Sequence, residues 1–395
     1  MDWYLVSVLV FIAVLAVIFY RDRKNVKRQS VLLIRRTQKG KKGIIALGRR
    51  FPRFWKAVGV IGVVFGFCVS VWIVYVLIGQ AIMIFQEQLE IGAGVLIPSF
   101  SQEASIGPGY FAVPFWYWVI SIALLVVVHE GMHGIMAARE KARIKSLGWG
   151  LLAIIPLAFV EPDEKQLSKM GAWSQLRVFA AGSFANFCLA GVSILIVIGM
   201  TASLFTAVGI GYDGVMEGYP AEQAGMEAPG IITQIDDYEI RNLNELDLAL
   251  KEIGPYNTIR VKAMLFENET GDIINQSYVL QTVCPPNETA CDDGFIGILF
   301  NPSTANVQEL NAGLEPLSGI ISFVMGLFLF VFIINFLVGA FNLLPLGPLD
   351  GGRMYSIALG RLVPRHSKKI MRFLSMFILA LILVSFIMPF VNMLL

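Results

Sequence analysis

The sequence predicts a polytopic α-helical membrane protein of about six transmembrane helices, with a re-entrant β-hairpin and a small extracytoplasmic α+β domain. Three observations carry this. Of 395 residues, 56% are hydrophobic and 15% charged, and mean hydropathy is +0.68. A soluble domain carries about 25% charged residues. The apolar excess lies in blocks that reach the ~20 residues needed to cross a bilayer. The segments between the blocks alternate in charge. The net charge of +2 selects no partner, and nothing in the chain points to nucleic acid.

Taken in order, the blocks cover roughly 3–20, 57–85, 114–139, 174–205, 316–343 and 370–394. The first follows "MDW", with no positive charge ahead of it and basic residues behind, the pattern of an anchor rather than a cleaved signal. The loop behind it, "RDRKNVKRQSVLLIRRTQKGKKG" and "RRFPRFWK", holds Asp22 as its only acid, which assigns it to the cytosol. The next loop, near 86–112, carries Glu87, Glu90 and Glu103 without Lys or Arg and belongs outside. The segment after the third span has Lys141, Arg143, Lys145, Lys165 and Lys169 and belongs inside; 206–315 is rich in acids and belongs outside. After the fifth span, Arg353, Arg361, Arg365, Lys368 and Lys369 return the chain to the inside. Both termini are expected outside, and the bilayer is the first partner.

Within 143–165, "IKSLGWGLLAIIPLAFVEPDE" is apolar but broken by Gly148, Gly150 and Pro156. It is too interrupted for a span, and a hairpin dipping into the membrane beside protein fits better than an interfacial helix. Segment 206–315 alternates short β-like runs ("GIITQID", "TIRVKAML", "QSYVLQTV") with the helix-like "NLNELDLALKEIG", apolar at Leu243, Leu246, Leu248 and Leu250. About 95 residues of this kind make a small domain. Its Cys284 and Cys291 suit a short disulfide loop in an oxidising compartment, and sequons begin at Asn268, Asn275 and Asn287. Cys68 and Cys188 lie in apolar blocks and are expected as buried small hydrophobes.

The chemistry is carried by "VVVHEGMHGI" at 126–135. His129 and His133 are four apart, so a helix sets both imidazoles on one face, with Glu130 beside them. The H-E-x-x-H pattern offers two metal ligands and a general base. Ionisable residues inside a span are a functional signal, and the chain has only three histidines. His366, in the basic "VPRHSKK", is left out of the metal site. A catalytic zinc needs a third protein ligand and one open position. Asp350 in "FNLLPLGPLDGGRM" is the candidate, at comparable depth on the same side; a turn-forming Asp-Gly at a helix end is the bland alternative.

"HEGMH" in one span and "NLLPLGPLDGG" in a later one resemble the site-2 protease family of intramembrane zinc metalloproteases, M50-like peptidases. The family's second motif falls on Asn342, Pro345, Leu349, Asp350 and Gly351, and its Gly-x-x-x-Asn on Gly182 and Asn186 in "GSFAN". "YPAEQAGMEAPGIITQID" (219–236) is similar to PDZ domains inserted in that family, departing at Ile231 and in the late segment with Cys284 and Cys291. The resemblance implies one zinc ion on His129, His133 and Asp350, Glu130 as catalytic base, and Asn186 and Asn342 lining the substrate. It also implies a transmembrane protein substrate, single-span and already cut once outside. The expected organisation is an N-terminal transmembrane pair with its basic loop (1–112), a first catalytic part (113–205), a PDZ-like extracytoplasmic domain (206–305), a second catalytic part (306–362) and a C-terminal span (363–395). The competing reading is a non-catalytic membrane adaptor that recruits partners through the PDZ-like domain.

Overall fold

A computed structural model describes the chain except residues 1–2, 25, 30–31, 87–93, 108, 153–154, 267–272, 287–290, 302–304 and 395. It forms two units, Met1–Val197 with Phe323–Leu395, and Ile198–Ser322.

The first unit begins with α1 (Trp3–Arg21), then β1 (Val26–Gln29), β2 (Leu32–Thr37), the short helix α2 (Lys41–Arg50) and α3 (Pro52–Phe85). Proline at the start of α3 suits a position whose N–H has no intrahelical partner. β3 (Val95–Ser99), β4 (Ser105–Gly107) and β5 (Tyr110–Pro114) form a three-stranded sheet in the order β3-β5-β4, directly ahead of α4 (Phe115–Arg139). β6 (Ile144–Leu152) and β7 (Ile155–Pro162) follow, then α5 (Glu164–Leu167) and α6 (Ala172–Leu204). β6 and β7 pair antiparallel across the apolar segment 143–165; residues 153–154 between them lie outside the described residues.

The hairpin is half of a larger sheet. β1 and β2, from the basic loop, join it in the antiparallel order β1-β2-β6-β7. Arg35 pairs across the strands with Trp149 and lies 5.7 Å over its ring, while Phe19 of α1 meets the same indole edge-on at 5.2 Å. Arg35 also pairs with Asp22. β7 is the outer strand, and it packs along α4: the Val160 methyls and Ile44 of α2 close over Gly134.

The second unit holds β8 (Phe205–Tyr212), β9 (Gly214–Val215), α7 (Pro220–Gln223), β10 (Gly230–Ile235), β11 (Tyr238–Glu239), α8 (Leu243–Ile253), β12 (Thr258–Phe266), β13 (Ile273–Gln281), β14 (Ile298–Leu299) and β15 (Asn306–Leu310). Its main sheet runs β13-β12-β10-β8-β15, with β11 on β10, and β9 pairs with β14. Ile210, Ile232, Ile235, Ile240 and Val261 are wholly buried in its core. Asn242 caps α8 by accepting the Glu245 N–H at 3.0 Å. Leu248 departs from expectation: it is 62% exposed, whereas Leu246 and Ala249 are buried. A 3.6-residue period places Leu243, Leu246 and Leu250 on one face and turns Leu248 away. Cys284 and Cys291 form the disulfide.

The chain returns through α9 (Ser318–Asn342), a tight turn, α10 (Asp350–Leu362) and α11 (Ser367–Leu394). Among the described residues six helices, α1, α3, α4, α6, α9 and α11, are long and apolar enough to cross a membrane. Cys68 and Cys188 are exposed, not buried. The apolar period of a membrane helix does not separate its interior from its lipid face, because both are apolar, so composition alone misplaced them.

Candidate metal centre

His129 and His133 stand one turn apart on α4, and both are at least 91% buried. Their Nε2 atoms are 3.1 Å apart. Asp350, the first residue of α10, brings its Oδ2 to 3.2 Å from each of them. Asp350 reaches this point because the turn after α9 reverses the chain, and Gly351 and Gly352 let α10 start directly beneath the Leu343 and Leu346 carbonyls. His129, His133 and Asp350 therefore come together from elements more than 200 residues apart.

One face of α6 shapes the imidazoles. Val178, Gly182 and Asn186 follow each other at four-residue steps, one above the other on a helix. The Val178 carbonyl accepts a 2.7 Å hydrogen bond from His133 Nδ1. A carbonyl only accepts, so Nδ1 carries the ring proton and Nε2 keeps a free lone pair. Gly182 gives the rings room: a Cβ there would overlap His133 Nε2 and fall 2.8 Å from His129 Nε2. The Asn186 amide, fully buried, sits 3.0 Å from His129 Nδ1. If His129 ligates through Nε2, its Nδ1 must donate, and the amide then offers its oxygen; amide orientation is assigned from the partners.

These donors fit a zinc ion. Three lone-pair atoms converge within 3.2 Å, and Asp350 Oδ2 is buried without a hydrogen bond. Such a set repels itself unless a cation lies among it. Donors at 2.0–2.1 Å around a tetrahedral ion lie about 3.3–3.4 Å apart, close to what is seen. His133, His129 and Asp350 form the one metal-capable cluster among the described residues, and the exposed His366 is not in it.

Glu130 is half-buried beside the cluster, and its Oε2 accepts the Val160 N–H of β7 at 3.2 Å. Glu130, His133 and Asp350 line a cleft of about 220 Å³ with Val160, Phe179 and Arg353 among its other walls. Arg353 lies over the Phe179 ring and 3.5 Å from Glu164. Asn342, at the end of α9, is half-buried, is absent from that lining and makes no side-chain hydrogen bond among the described residues. Sequence reasoning passed over Val178 and Val160, which act through backbone atoms and leave no side-chain signal. It found Gly182 as part of a motif without its steric role.

At the C-terminal end of α4 a charged cluster ties it to α6. Glu140 receives hydrogen bonds from Arg177 Nε (2.7 Å) and Nη2 (3.0 Å), and pairs with Arg139. Burial pushes the Glu140 carboxyl up, but hydrogen bonds from Arg177, Ser174 and Arg139 hold it below the usual carboxylate value.

A bundle of membrane-length helices enclosing a two-histidine, one-aspartate centre with a glutamate beside it defines a class, the membrane metallopeptidases. The model of peptidase family M50 matches residues 117–385, more than half of the chain, and the protein belongs to that family. The matched segment contains all three candidate ligands and Glu130. The chain is also 24% identical over 355 residues to the uncharacterized protein MJ0971 of Methanocaldococcus jannaschii, covering 88% of this chain and 84% of that one.

Proposed function

We propose that the protein is an intramembrane zinc metalloprotease that hydrolyses peptide bonds within or near transmembrane helices of other membrane proteins. The observation that carries this is the clustering of His129, His133 and Asp350 among membrane-length helices, with Glu130 lining the same cleft as His133 and Asp350. A zinc ion held by His129, His133 and Asp350 would supply Lewis acidity and would lower the pKa of a bound water to about 7. Glu130 would serve as the general base and acid, accepting a proton from the attacking water and passing it to the leaving amide nitrogen. Val178 and Asn186 keep both imidazoles facing the centre. Asn342, which does not line the cleft, is assigned by the motif alone to the backbone of an extended substrate.

A helical substrate hides its carbonyls in its own hydrogen bonds, so it must unwind before attack. β7 suits this step. It is the outer strand of its sheet, and Val160 turns its N–H off that edge toward Glu130. An unwound substrate strand pairing with β7 would have its freed backbone groups satisfied beside the base. Substrates with helix-breaking residues near the cut are therefore preferred. The basic loops are assigned to the cytosol and the second unit to the outside, a PDZ-like domain that restricts access to single-span targets already trimmed there. The disulfide Cys284–Cys291 supports that side.

The test uses purified protein with a single-span substrate in detergent. Glu130→Gln is expected to retain zinc and lose activity about 10²–10⁴-fold, the usual weight of a general base. Asp350→Asn is expected to lose both. Undiminished cleavage by either variant would end the proposal.

A further inference from the structure

The segment 38–56, "QKGKKGIIALGRRFPRFWK", holds seven Lys or Arg and no acid. The structure folds it as α2, one linking residue and the first turn of α3. α2 is two-faced. Its inner side is fixed on the H-E-x-x-H helix: Ile44 packs at Gly134, and Gly48 lies so close to Ile135 and Ala138 that a Cβ would overlap the Ile135 carbonyl. The Trp55 indole N–H closes the end of α2 on the Leu47 carbonyl at 2.9 Å, which joins the helix to the start of α3. Arg139 of α4 reaches the Pro52 carbonyl at 3.3 Å.

The outer side has no protein partner among the described residues. Lys42, Arg49, Arg50, Arg53 and Lys56 are exposed, and none forms an ion pair there. Between them stand Leu47 (42% exposed), Phe51 (51%) and Phe54 (58%), with Arg50 over the Phe51 ring at 5.3 Å. Bare cations repel one another, and large apolar side chains in water are unfavourable, so the two together need an occupant that satisfies both. The patch adjoins the start of α3, a helix long and apolar enough to cross a membrane, and would lie where headgroups meet acyl chains if α3 spans. A helix with cations on its outer face and aromatic or aliphatic residues among them suits that boundary. Clusters of four to eight Lys or Arg at the end of a membrane helix recognise anionic headgroups.

We infer that the outer face of α2 and the first turn of α3 form a binding surface for anionic phospholipid headgroups, with Leu47, Phe51 and Phe54 seated among the upper acyl chains. The surface is independent of the proteolytic reading, although it lies on the back of the helix that carries His129 and His133.

The experiment is photolabelling of the full-length protein in phosphatidylcholine bilayers, with a photoactivatable phosphatidylglycerol or a photoactivatable phosphatidylcholine, mapped by mass spectrometry. Phosphatidylglycerol labelling is expected to concentrate in 41–56, to yield to unlabelled phosphatidylglycerol but not to phosphatidylcholine, and to weaken with salt. R49Q/R50Q/R53Q/K56Q should lower it at least about tenfold, since each surface cation adds to the attraction. R49K/R50K/R53K keeps the charge and should keep the labelling. Unfolding temperature and monodispersity establish that each variant is folded; all four positions are exposed. Equal labelling by the two probes, labelling unaffected by the glutamine variant, or displacement by an oligonucleotide but not by phosphatidylglycerol overturns the inference.

Discussion

Gly182→Ala tests the architecture of the metal centre most sharply, because two effects of the same methyl group oppose each other. By helix propensity alone, alanine in place of a mid-helix glycine stabilises by about 0.8–1.0 kcal/mol. The surroundings argue the other way. The new Cβ would overlap His133 Nε2 and stand 2.8 Å from His129 Nε2. Packed atoms sit about 3.5–4.0 Å apart, so the His129 ring must retreat by about 0.7 Å and the His133 ring by more. Overpacking of this kind costs about 1–3 kcal/mol, which exceeds the propensity gain. The metal tolerates less still, since ligand distances must hold to about ±0.2 Å. Gly182→Ala is therefore expected to fold with near-normal helicity by circular dichroism and to bind zinc at least 10–100-fold more weakly, the range seen when supporting groups of a metal site are lost. Competition of the metal-free protein against a chromogenic chelator gives the affinity. Zinc binding at wild-type strength would refute the claim that α6 shapes the imidazole pair.

Other outcomes follow from the same geometry. Asn186→Leu removes the partner of His129 Nδ1 and should weaken zinc about 10–100-fold, with Asn186→Asp restoring much of the loss, as read by the same titration. Glu140→Gln leaves Arg177, whose side chain is 11% exposed, without its carboxylate, and should lower stability by about 3–5 kcal/mol in chemical unfolding. The pair also sets an acid limit. The folded Glu140 pKa lies below 4.5, so its stabilisation is complete above pH 4.5 and is lost as pH falls through the lower folded value; Arg177→Gln should flatten that acid limb of unfolding temperature against pH. Thiol titration of the denatured protein should count two free cysteines, Cys68 and Cys188, before reduction and four after it. Val160→Pro removes the N–H that Glu130 accepts and blocks strand pairing at β7, so it should abolish cleavage while the protein still binds zinc.

The sequence exposed the parts of the site whose chemistry is local. Two histidines at a helical step in an apolar span announce themselves, and an aspartate framed by prolines and glycines is conspicuous at a span's end. The six spans were legible because length and hydrophobicity decide them. What escaped was whatever depends on a distant partner. β1 and β2 were hidden by Lys and Arg in a loop that composition marks as solvated, and the pairing of β2 with β6 joins residues about 115 positions apart. The β3-β5-β4 sheet has strands of three to five residues, too short for a period to show. α10 was overlooked because it is neither long nor apolar enough to be a span, yet it begins at Asp350 and sets that carboxylate against the imidazoles. Cys68 and Cys188 escaped because hydrophobicity reports that a residue avoids water, not whether protein or lipid shields it, and Leu248 escaped because its place in the helical turn, not its hydrophobicity, decides its exposure.

The central claim is that His129 and His133 of α4 and Asp350 of α10 hold a single zinc ion. Metal content of the purified protein, measured by mass spectrometry after zinc loading and removal of excess, tests it directly. One zinc per chain in the wild type, with its loss from folded His129→Ala, His133→Ala and Asp350→Ala variants, is the predicted result. A wild type that retains no zinc, or an Asp350→Ala variant that keeps it as tightly as the wild type, contradicts the account.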